Sequence, residues 1–261
     1  MEFLLYAISG ALVGFIVGLT GIGGGSLMTP LLLLFGIPPH IAVGTDLLYA
    51  AITKASGVVA HHKQKTIKWP VTITMAMGSI PAAVITGIAL SFFFGDYEQY
   101  TGIITTSLGV MLVITATLLI FRKKLQIFAN AQADASTGSP LQRHKASLTL
   151  AMGALLGVFV TLSSVGAGAI GTAILLVLYP KLKSVQVVGT DLAHAVPLTL
   201  IGGFVHMGLG NVDYSLLFAL LIGSIPAIHL GSKVGSKIPE NILRQGLAGL
   251  LMGLGAKYIF F

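Results

Sequence analysis

The stretch GLTGIGGGSLMTP, residues Gly18 to Pro30, places a glycine cluster inside one of the most apolar parts of the chain. Four of the five residues from Gly21 to Gly25 are glycine, and Ser26 follows them directly. Glycine disfavours the interior of a helix because it loses more backbone freedom on folding than any other residue. The apolar run on both sides favours helix, so the stretch predicts two helical segments separated by a break.

The composition of the chain indicates that its helices lie in a lipid bilayer. Of the 261 residues 55% are hydrophobic and 9% are charged, and the mean hydropathy is +0.93. A soluble domain carries about a quarter charged residues, whereas apolar runs of about 20 residues, long enough to cross a hydrocarbon core, recur along this sequence. The first residues lack the basic start and the cleavage site of a signal peptide, so we expect them to remain as a helix.

The hydropathy pattern predicts ten helical segments, the second and seventh of which are too short to cross a bilayer alone. We predict an all-α polytopic membrane protein with a first membrane repeat over 1–121, a polar cytoplasmic linker over 122–145 and a second membrane repeat over 146–261. The segments are expected near Phe3–Leu19, Ser26–Phe35, Ile41–Ala60, Pro70–Phe94, Tyr100–Phe121, Ala146–Val165, Ala169–Leu178, Val185–Val205, Tyr214–Leu230 and Ile242–Phe261.

The two parts of the chain resemble each other. Three sequence blocks of the first part recur in the second, in the same order and about 145 residues further on, which indicates an internal duplication. Each repeat is therefore expected to hold about five segments, including one broken or short helix pair. The matching blocks are GALVGFIVGLTGIGGG from Gly10 and GALLGVFVTLSSVGAG from Gly153, VGTD from Val43 and from Val188, and GSIPA from Gly78 and from Gly223.

The distribution of charge predicts that the repeats have inverted topology. The net charge is +7, and nearly all of the 15 Lys and Arg residues lie in four loops, which we expect to face the cytoplasm. The turns that hold Asp96, Glu98 and Asp213 lack basic residues and are expected outside. This assignment puts the loop 36–40 outside, its repeat partner 180–183 inside and both termini outside. Because the basic residues mark topology, we expect a lipid bilayer and no nucleic acid as partner.

The two glycine-rich breaks are the predicted substrate site. Discontinuous helices at matching positions of inverted repeats mark the binding sites of secondary transporters. The helices that begin near Ser26 and Ala169 would direct N–H groups and positive dipole ends at the breaks, which favours an anion. Alternatively, the glycines only permit close helix packing. The candidate substrate ligands are Thr20, Gly21, Gly23, Gly24, Gly25 and Ser26 in the first break and Ser163, Ser164, Gly166 and Gly168 in the second.

Ionisable residues inside the predicted spans are further candidates, because each is costly at the bilayer centre unless it is paired or hydrated. The repeated VGTD blocks place Thr45 and Asp46 in the first repeat and Thr190 and Asp191 in the second. Lys54 is the only candidate cation within a span. It either faces the anion or snorkels to the interface.

A histidine extends the second of these blocks. His194 follows Asp191 by one helical turn, so the two form either a proton relay or a static polar pair. No cluster of His, Asp and Glu has metal-ligand spacing, cysteine is absent, and no nucleophile stands near a base. We therefore expect no metal, no cofactor and no enzymatic activity.

These residues carry a resemblance to a known family. The stretch GLTGIGGGSLMTPLLLLFGIPPHIAVGTDLL from Gly18, the following KASGVVAHHKQKTIKW from Lys54 and the GSIPA block, with their degenerate repeats, resemble the TauE/SafE family of sulfite and organosulfonate exporters, also called the 4-toluene sulfonate uptake permease family. The resemblance covers essentially the whole chain. It implies a binding site made of Gly21–Ser26, Thr45, Asp46, Lys54, Ser163–Gly168, Thr190 and Asp191.

The resemblance also implies a function. It indicates a secondary transporter that exports a small sulfur-containing anion, sulfite or an organosulfonate such as sulfoacetate, across the bacterial inner membrane. We expect coupling to the proton gradient. A passive anion channel and an importer of a related anion, sulfate or thiosulfate, are the alternatives, and a membrane-embedded enzyme is a third.

Overall fold

The computed structural model describes residues 2–20, 27–93, 97–135, 144–234 and 240–260, and these residues form helices and short connections without a β-strand. The predicted all-α class is confirmed. The helices are α1 Glu2–Thr20, α2 Met28–Leu34, α3 Pro39–Lys63, α4 Trp69–Phe93, α5 Tyr97–Ala135, α6 Lys145–Ser163, α7 Ala169–Leu178, α8 Ser184–Gly208, α9 Tyr214–Val234 and α10 Glu240–Phe260.

The outer surface of the helices is apolar. Over the described ranges five helices, α4, α5, α6, α8 and α9, are long and apolar enough to cross a bilayer. Large apolar side chains stay exposed on them, for example Ile73, Met77 and Ile85 on α4 and Phe218 and Ile222 on α9. Such a surface would drive association in water, whereas in a bilayer it contacts lipid tails. These features define a multi-pass membrane protein.

Two central helices, α3 and α8, are shielded by the others. Each has 25 residues, and most side chains of α3 between His40 and Lys54 and of α8 between Val187 and His206 are buried. The two helices pack against each other. Since much of their surface faces protein rather than lipid, they can hold polar and charged groups at membrane depth.

The short helices lie where the sequence predicts them. α2 has 7 residues and α7 has 10. A non-helical, buried segment, residues 164–168, separates α6 from α7, so the second break is present. The first predicted break, residues 21–26, lies outside the described residues.

Helix α5 is longer than the hydropathy pattern indicates. It continues beyond the expected end at Phe121 to Ala135, through part of the stretch predicted as a polar linker. The added residues are mostly Arg, Lys, Leu, Gln and Ala, which are good helix formers, and no Gly or Pro occurs among them. Charge therefore ends the hydrophobic span without ending the helix.

The closest helix pairs combine the two parts of the chain. α1 packs along α9, and α4 packs along α6. A Cβ atom added at Gly10 would collide with the backbone of Leu220, and one added at Gly153 would collide with the backbone of Met75. Gly10 and Gly153, which precede the two predicted breaks, therefore let two helix backbones touch.

Contacts made by one part recur at matching positions of the other. A Cβ at Gly44 would collide with the Asn211 carbonyl. At the repeat-matched position, a Cβ at Gly189 would crowd the ring of His61 and the hydroxyl of Thr66, the residue that matches Asn211. His61 Nδ1 lies 2.8 Å from Thr66 Oγ1. The matching pair in the second part is His206 and Asn211, where His206 Nδ1 lies 3.1 Å from Asn211 Nδ2. The contacts between α3 and the region after α8 thus mirror those between α8 and the region after α3.

Candidate functional site

Three ionisable side chains form a buried group that we call the charged cluster: Asp46 and Lys54 of α3 and Asp191 of α8. Their exposed fractions are 0%, 4% and 4%. The Lys54 ammonium interacts electrostatically with both carboxylates. Because α3 packs against α8, residues far apart in sequence meet here at the centre of the molecule.

Asp46 receives hydrogen bonds from both parts of the chain. Its Oδ2 accepts the Thr29 backbone N–H at 3.1 Å and the Thr29 hydroxyl. The same oxygen accepts the Ser164 hydroxyl at 3.0 Å. Its Oδ1 is buried and has no hydrogen-bond partner among the described residues. The N–H group in the first turn of α2 is therefore already bound to a carboxylate of the protein.

Asp191 has a similar environment but accepts fewer hydrogen bonds than Asp46. Its Oδ2 accepts the Thr172 hydroxyl of α7 at 3.3 Å, which repeats the contact of Thr29 with Asp46. Its Oδ1 is buried and lacks a hydrogen bond within the described chain. A Cβ at Gly171 would collide with this Oδ1, so the absence of a side chain there makes room for the carboxylate.

Lys54 does not snorkel. Its Nζ is buried, and no described residue accepts a hydrogen bond from it. The matching position of the second part holds Thr199, whose hydroxyl bonds to the Ala195 carbonyl at 2.9 Å. The cluster is therefore asymmetric, with two carboxylates and one lysine. A buried ammonium that lacks an acceptor is costly, so Lys54 remains a candidate binding group for an anion.

His194 contacts the first part of the chain rather than Asp191. Its Nε2 lies 2.8 Å from the hydroxyl of Ser79 on α4. Its Nδ1 is buried without a partner in the described ranges. Tyr49 occupies the matching position on α3 and lies beside Ser224, the repeat partner of Ser79. The relay of His194 with Asp191 remains a prediction.

The second break is held by the two serines that precede its glycines. The Ser163 hydroxyl donates to the Phe159 carbonyl at 2.6 Å and accepts the Val165 N–H at 3.2 Å. Ser164 ends α6 with a left-handed φ of 57°. Gly166 has a φ of +106°, which disfavours any other residue. Gly168 is the residue before α7.

The two threonines of the VGTD blocks bind backbone groups at helix starts. Thr45 Oγ1 accepts the Asp213 N–H at 3.1 Å, and Thr190 Oγ1 accepts the Lys68 N–H at 3.0 Å. Both bonds join the two parts of the chain. These threonines, proposed from sequence as substrate ligands, thus have structural partners.

The first break is outside the described part of the chain. Thr20 is the last residue of α1, and nothing is described of its side chain. Gly21, Gly23, Gly24, Gly25 and Ser26 lie in the segment beyond it. Their predicted role in binding stays a prediction.

A cleft lies between α5 and α7. Its lining includes Arg122, Gly168 and Thr172. Thr172 bonds to Asp191, and the charge of Arg122 also acts on Asp191. In the described ranges no group of three or more His, Asp or Glu side chains is arranged to hold a metal ion.

The sequence interpretation missed four hydroxyl residues of the site. Thr29 and Thr172 hold the two aspartates, and Ser79 and Ser224 lie beside the ring of His194 and of Tyr49. All four occur as pairs at repeat-matched positions. Matching of polar residues between the repeats was the signal that could have found them.

A helical bundle with a lipid-compatible surface and charged and hydroxyl groups at its centre has the architecture of a membrane transporter. The sequence profile of the family described as Sulfite exporter TauE/SafE matches residues 6–258. The chain therefore belongs to the TauE/SafE family.

Relatives that match this chain over nearly their whole length are named as membrane transporters. It is 38% identical over 250 residues to probable membrane transporter protein YjnA of Bacillus subtilis, covering 96% of this chain and 97% of that protein. It is 32% identical over 252 residues to probable membrane transporter protein YdhB of Bacillus subtilis, covering 92% and 96%. It is 29% identical over 276 residues to probable membrane transporter protein MJ0441 of Methanocaldococcus jannaschii, covering 97% and 96%. No solved structure matches the chain.

Proposed function

We propose that this membrane transporter exports a small sulfur-containing anion, sulfite or an organosulfonate such as sulfoacetate, across the bacterial inner membrane. The observation that carries the proposal is the Lys54 ammonium, which is buried and to which neither carboxylate of the cluster hydrogen-bonds. A cation in this state gains most from an anion that brings its own oxygen acceptors. The family description, Sulfite exporter TauE/SafE, supports a sulfur oxyanion.

The anion is proposed to lie between Lys54 and the two breaks. Gly166 and Gly168 in the second break, and the glycines of Gly21–Ser26 in the first, lack the Cβ that would hold the backbone away from a ligand. Ser164 joins the second break to Asp46, and so to the helix that carries Lys54.

Proton coupling is proposed to involve Asp191 and His194. Both have a buried polar atom, Oδ1 and Nδ1, that no described residue satisfies. Because His194 Nε2 bonds to Ser79, a proton would pass between the two side chains through a bridging water or the substrate.

The halves 1–121 and 146–261 are proposed to be inverted repeats, with the linker in the cytoplasm and both termini outside. The mirrored contacts of Gly44 with Asn211 and of Gly189 with Thr66 support this arrangement. In inverted-repeat transporters one part rocks against the other around a central site.

The test is transport by purified protein in proteoliposomes, with labelled sulfite, sulfoacetate, sulfate and thiosulfate. Lys54→Met, which keeps the length of the side chain and removes the charge, is expected to lower saturable uptake at least tenfold. The matched control is Lys181→Met, since Lys181 is exposed in a loop. Gly24→Val is expected to abolish binding by filling the first break. If Lys54→Met transports like the parent, the anion site is elsewhere.

The same assay separates the alternatives. An anion flux that does not change when a proton gradient is imposed indicates a passive anion channel. Accumulation of sulfate or thiosulfate under an acid-outside gradient indicates an importer. Product formation without flux of any anion indicates an enzyme.

A further inference from the structure

The negative charges of the charged cluster already balance the positive charges around it. Asp46 and Asp191 face one buried cation, Lys54, and one half-buried cation, Arg122, whose charge acts on Asp191. An anion bound at Lys54 therefore adds a negative charge that the protein does not balance. Uncompensated charge at membrane depth is costly, and protonation of a carboxylate is the usual relief.

The two carboxylates differ in how well their charge is satisfied. Asp46 Oδ2 accepts three hydrogen bonds, two from Thr29 and one from Ser164. Asp191 accepts one, from Thr172, at the longer distance of 3.3 Å. Hydrogen bonds donated to a carboxylate favour its ionised form. Asp46 is therefore the fixed charge of the cluster, and Asp191 is the carboxylate that can be neutralised.

We infer that each anion enters the site together with one proton, which binds to Asp191. The inference rests on the proposed function. The anion replaces Asp191 as the partner of Lys54, and a proton from the same aqueous side forms an O–H bond with Asp191 Oδ1, which has no hydrogen bond to lose. On the opposite side the anion leaves, that O–H bond breaks, and Asp191 again balances Lys54. Anion and proton move in the same direction, and a monovalent anion moves without net charge. Export is therefore driven by the outward gradient of the anion, and a proton gradient that is acid outside opposes it.

The other ionisable groups around the cluster do not replace Asp191 in this role. Arg122 of α5 keeps its proton at all ordinary pH values. Tyr49 of α3 lies near Asp46, and a phenol is neutral there already. His194 of α8 interacts electrostatically with Lys54. A protonated His194 is disfavoured because it would be a second cation beside that ammonium. Ser79 and Thr172, from α4 and α7, are neutral.

The direct test measures proton movement in proteoliposomes that contain a trapped pH-sensitive dye. The probes are methanesulfonate and sulfoacetate, because sulfonates keep their charge between about pH 6 and 8. An inward anion gradient with no initial pH difference should acidify the lumen. The apparent Kd of the parent should fall up to about tenfold for each unit by which the pH is lowered, which is the linkage expected for one proton.

Two variants assign the proton to a side chain. Asp191→Asn, which resembles the protonated acid, is expected to show anion exchange that no longer depends on pH and no longer acidifies the lumen. Asp191→Glu should restore acidification. Asp213→Asn is the matched control, because Asp213 is exposed outside the cluster and Asn preserves a helix cap. His194→Gln should still acidify the lumen, but more slowly, because the proposed path of the proton to Asp191 passes through the histidine.

Three results would overturn the inference. Anion uptake by the parent without acidification removes the co-bound proton and leaves the proposed function intact. Acidification by Asp191→Asn, or its loss in His194→Gln alone, removes Asp191 as the carrier. Absence of flux for every anion tested defeats the proposed function itself, and the inference with it.

Discussion

Ser164 adopts a backbone conformation that is normally left to glycine. Its φ is 57° at the end of α6, and the matching residue of the first repeat is Gly21. A left-handed conformation costs a residue with a Cβ roughly 1–2 kcal/mol. The gain is the 3.0 Å hydrogen bond to Asp46, since a bond to a charged group contributes about 1.5–3 kcal/mol. The presence of serine at this position is thus explained by the hydrogen bond of its hydroxyl, which offsets the cost of the left-handed backbone.

Comparison of Ser164→Gly with Ser164→Ala separates these two contributions. Both variants lose the hydroxyl that stabilises the ionised form of Asp46. Because Asp46 is then protonated more readily, both are expected to bind the anion up to about tenfold more tightly at low pH. Only the glycine variant relieves the backbone, so it should be the more stable of the two by about 1 kcal/mol. Thermal unfolding in detergent and equilibrium binding measure the two effects. Equal stability of the variants would show that the left-handed conformation carries no strain.

At Gly171 the absence of a Cβ atom leaves room for the Asp191 carboxylate. Gly171→Ala places a methyl group against Asp191 Oδ1, so we expect displacement of the carboxylate and loss of the pH dependence of transport. Gly102→Ala is the matched control, because nothing lies within 4 Å of that position in α5. The control should keep transport and gain about 0.5–1 kcal/mol of stability. Normal pH dependence in Gly171→Ala would contradict the placement of Asp191.

At the scale of helices, two equivalent hydrogen bonds connect the long central helices to helix starts of the opposite part. Thr45 holds the start of α9 through Asp213, and Thr190 holds the start of α4 through Lys68. Thr45→Val and Thr190→Val keep the shape and remove the acceptor. Each is expected to cost about 1–3 kcal/mol of unfolding free energy, because a backbone N–H loses its partner. Denaturant unfolding tests this, with Thr74→Val as control, because the Thr74 hydroxyl bonds to the Pro70 carbonyl within its own helix.

The helices were more predictable than the site. Hydropathy identified the ten segments because each is a local run of apolar residues, and it misjudged the end of α5 because hydropathy does not report helix propensity. Asp46, Asp191 and Lys54 were singled out because charge inside a span is rare. Thr29 and Thr172, which bind the two aspartates, and Ser79, which binds His194, were missed because hydroxyl residues are common in such spans. Only the packing of distant helices brings them to the cluster.

For the whole molecule, the proposed topology predicts where reporter domains will be active. A reporter fused in the linker at Gln142 should lie in the cytoplasm, and one fused after Phe261 should lie outside. The reason is the concentration of basic residues in the linker and in the loop around Lys63. A pair of alkaline phosphatase and green fluorescent protein fusions measures both sides. The same side for both would contradict the inverted arrangement.

The pairing of α1 with α9 has a consequence for the synthesis of the protein. The contact of Gly10 with Leu220 joins helices that leave the ribosome about 200 residues apart, which takes on the order of 10–40 s at about 5–20 residues per second. Throughout that interval α1 lies in the membrane without its partner. α4 lies without α6 for a shorter time, because the contact of Met75 with Gly153 joins residues only about 80 positions apart. A messenger truncated after the first repeat would therefore leave its four long helices, α1, α3, α4 and α5, without their partners from the second part. We expect quality-control proteases to degrade that product.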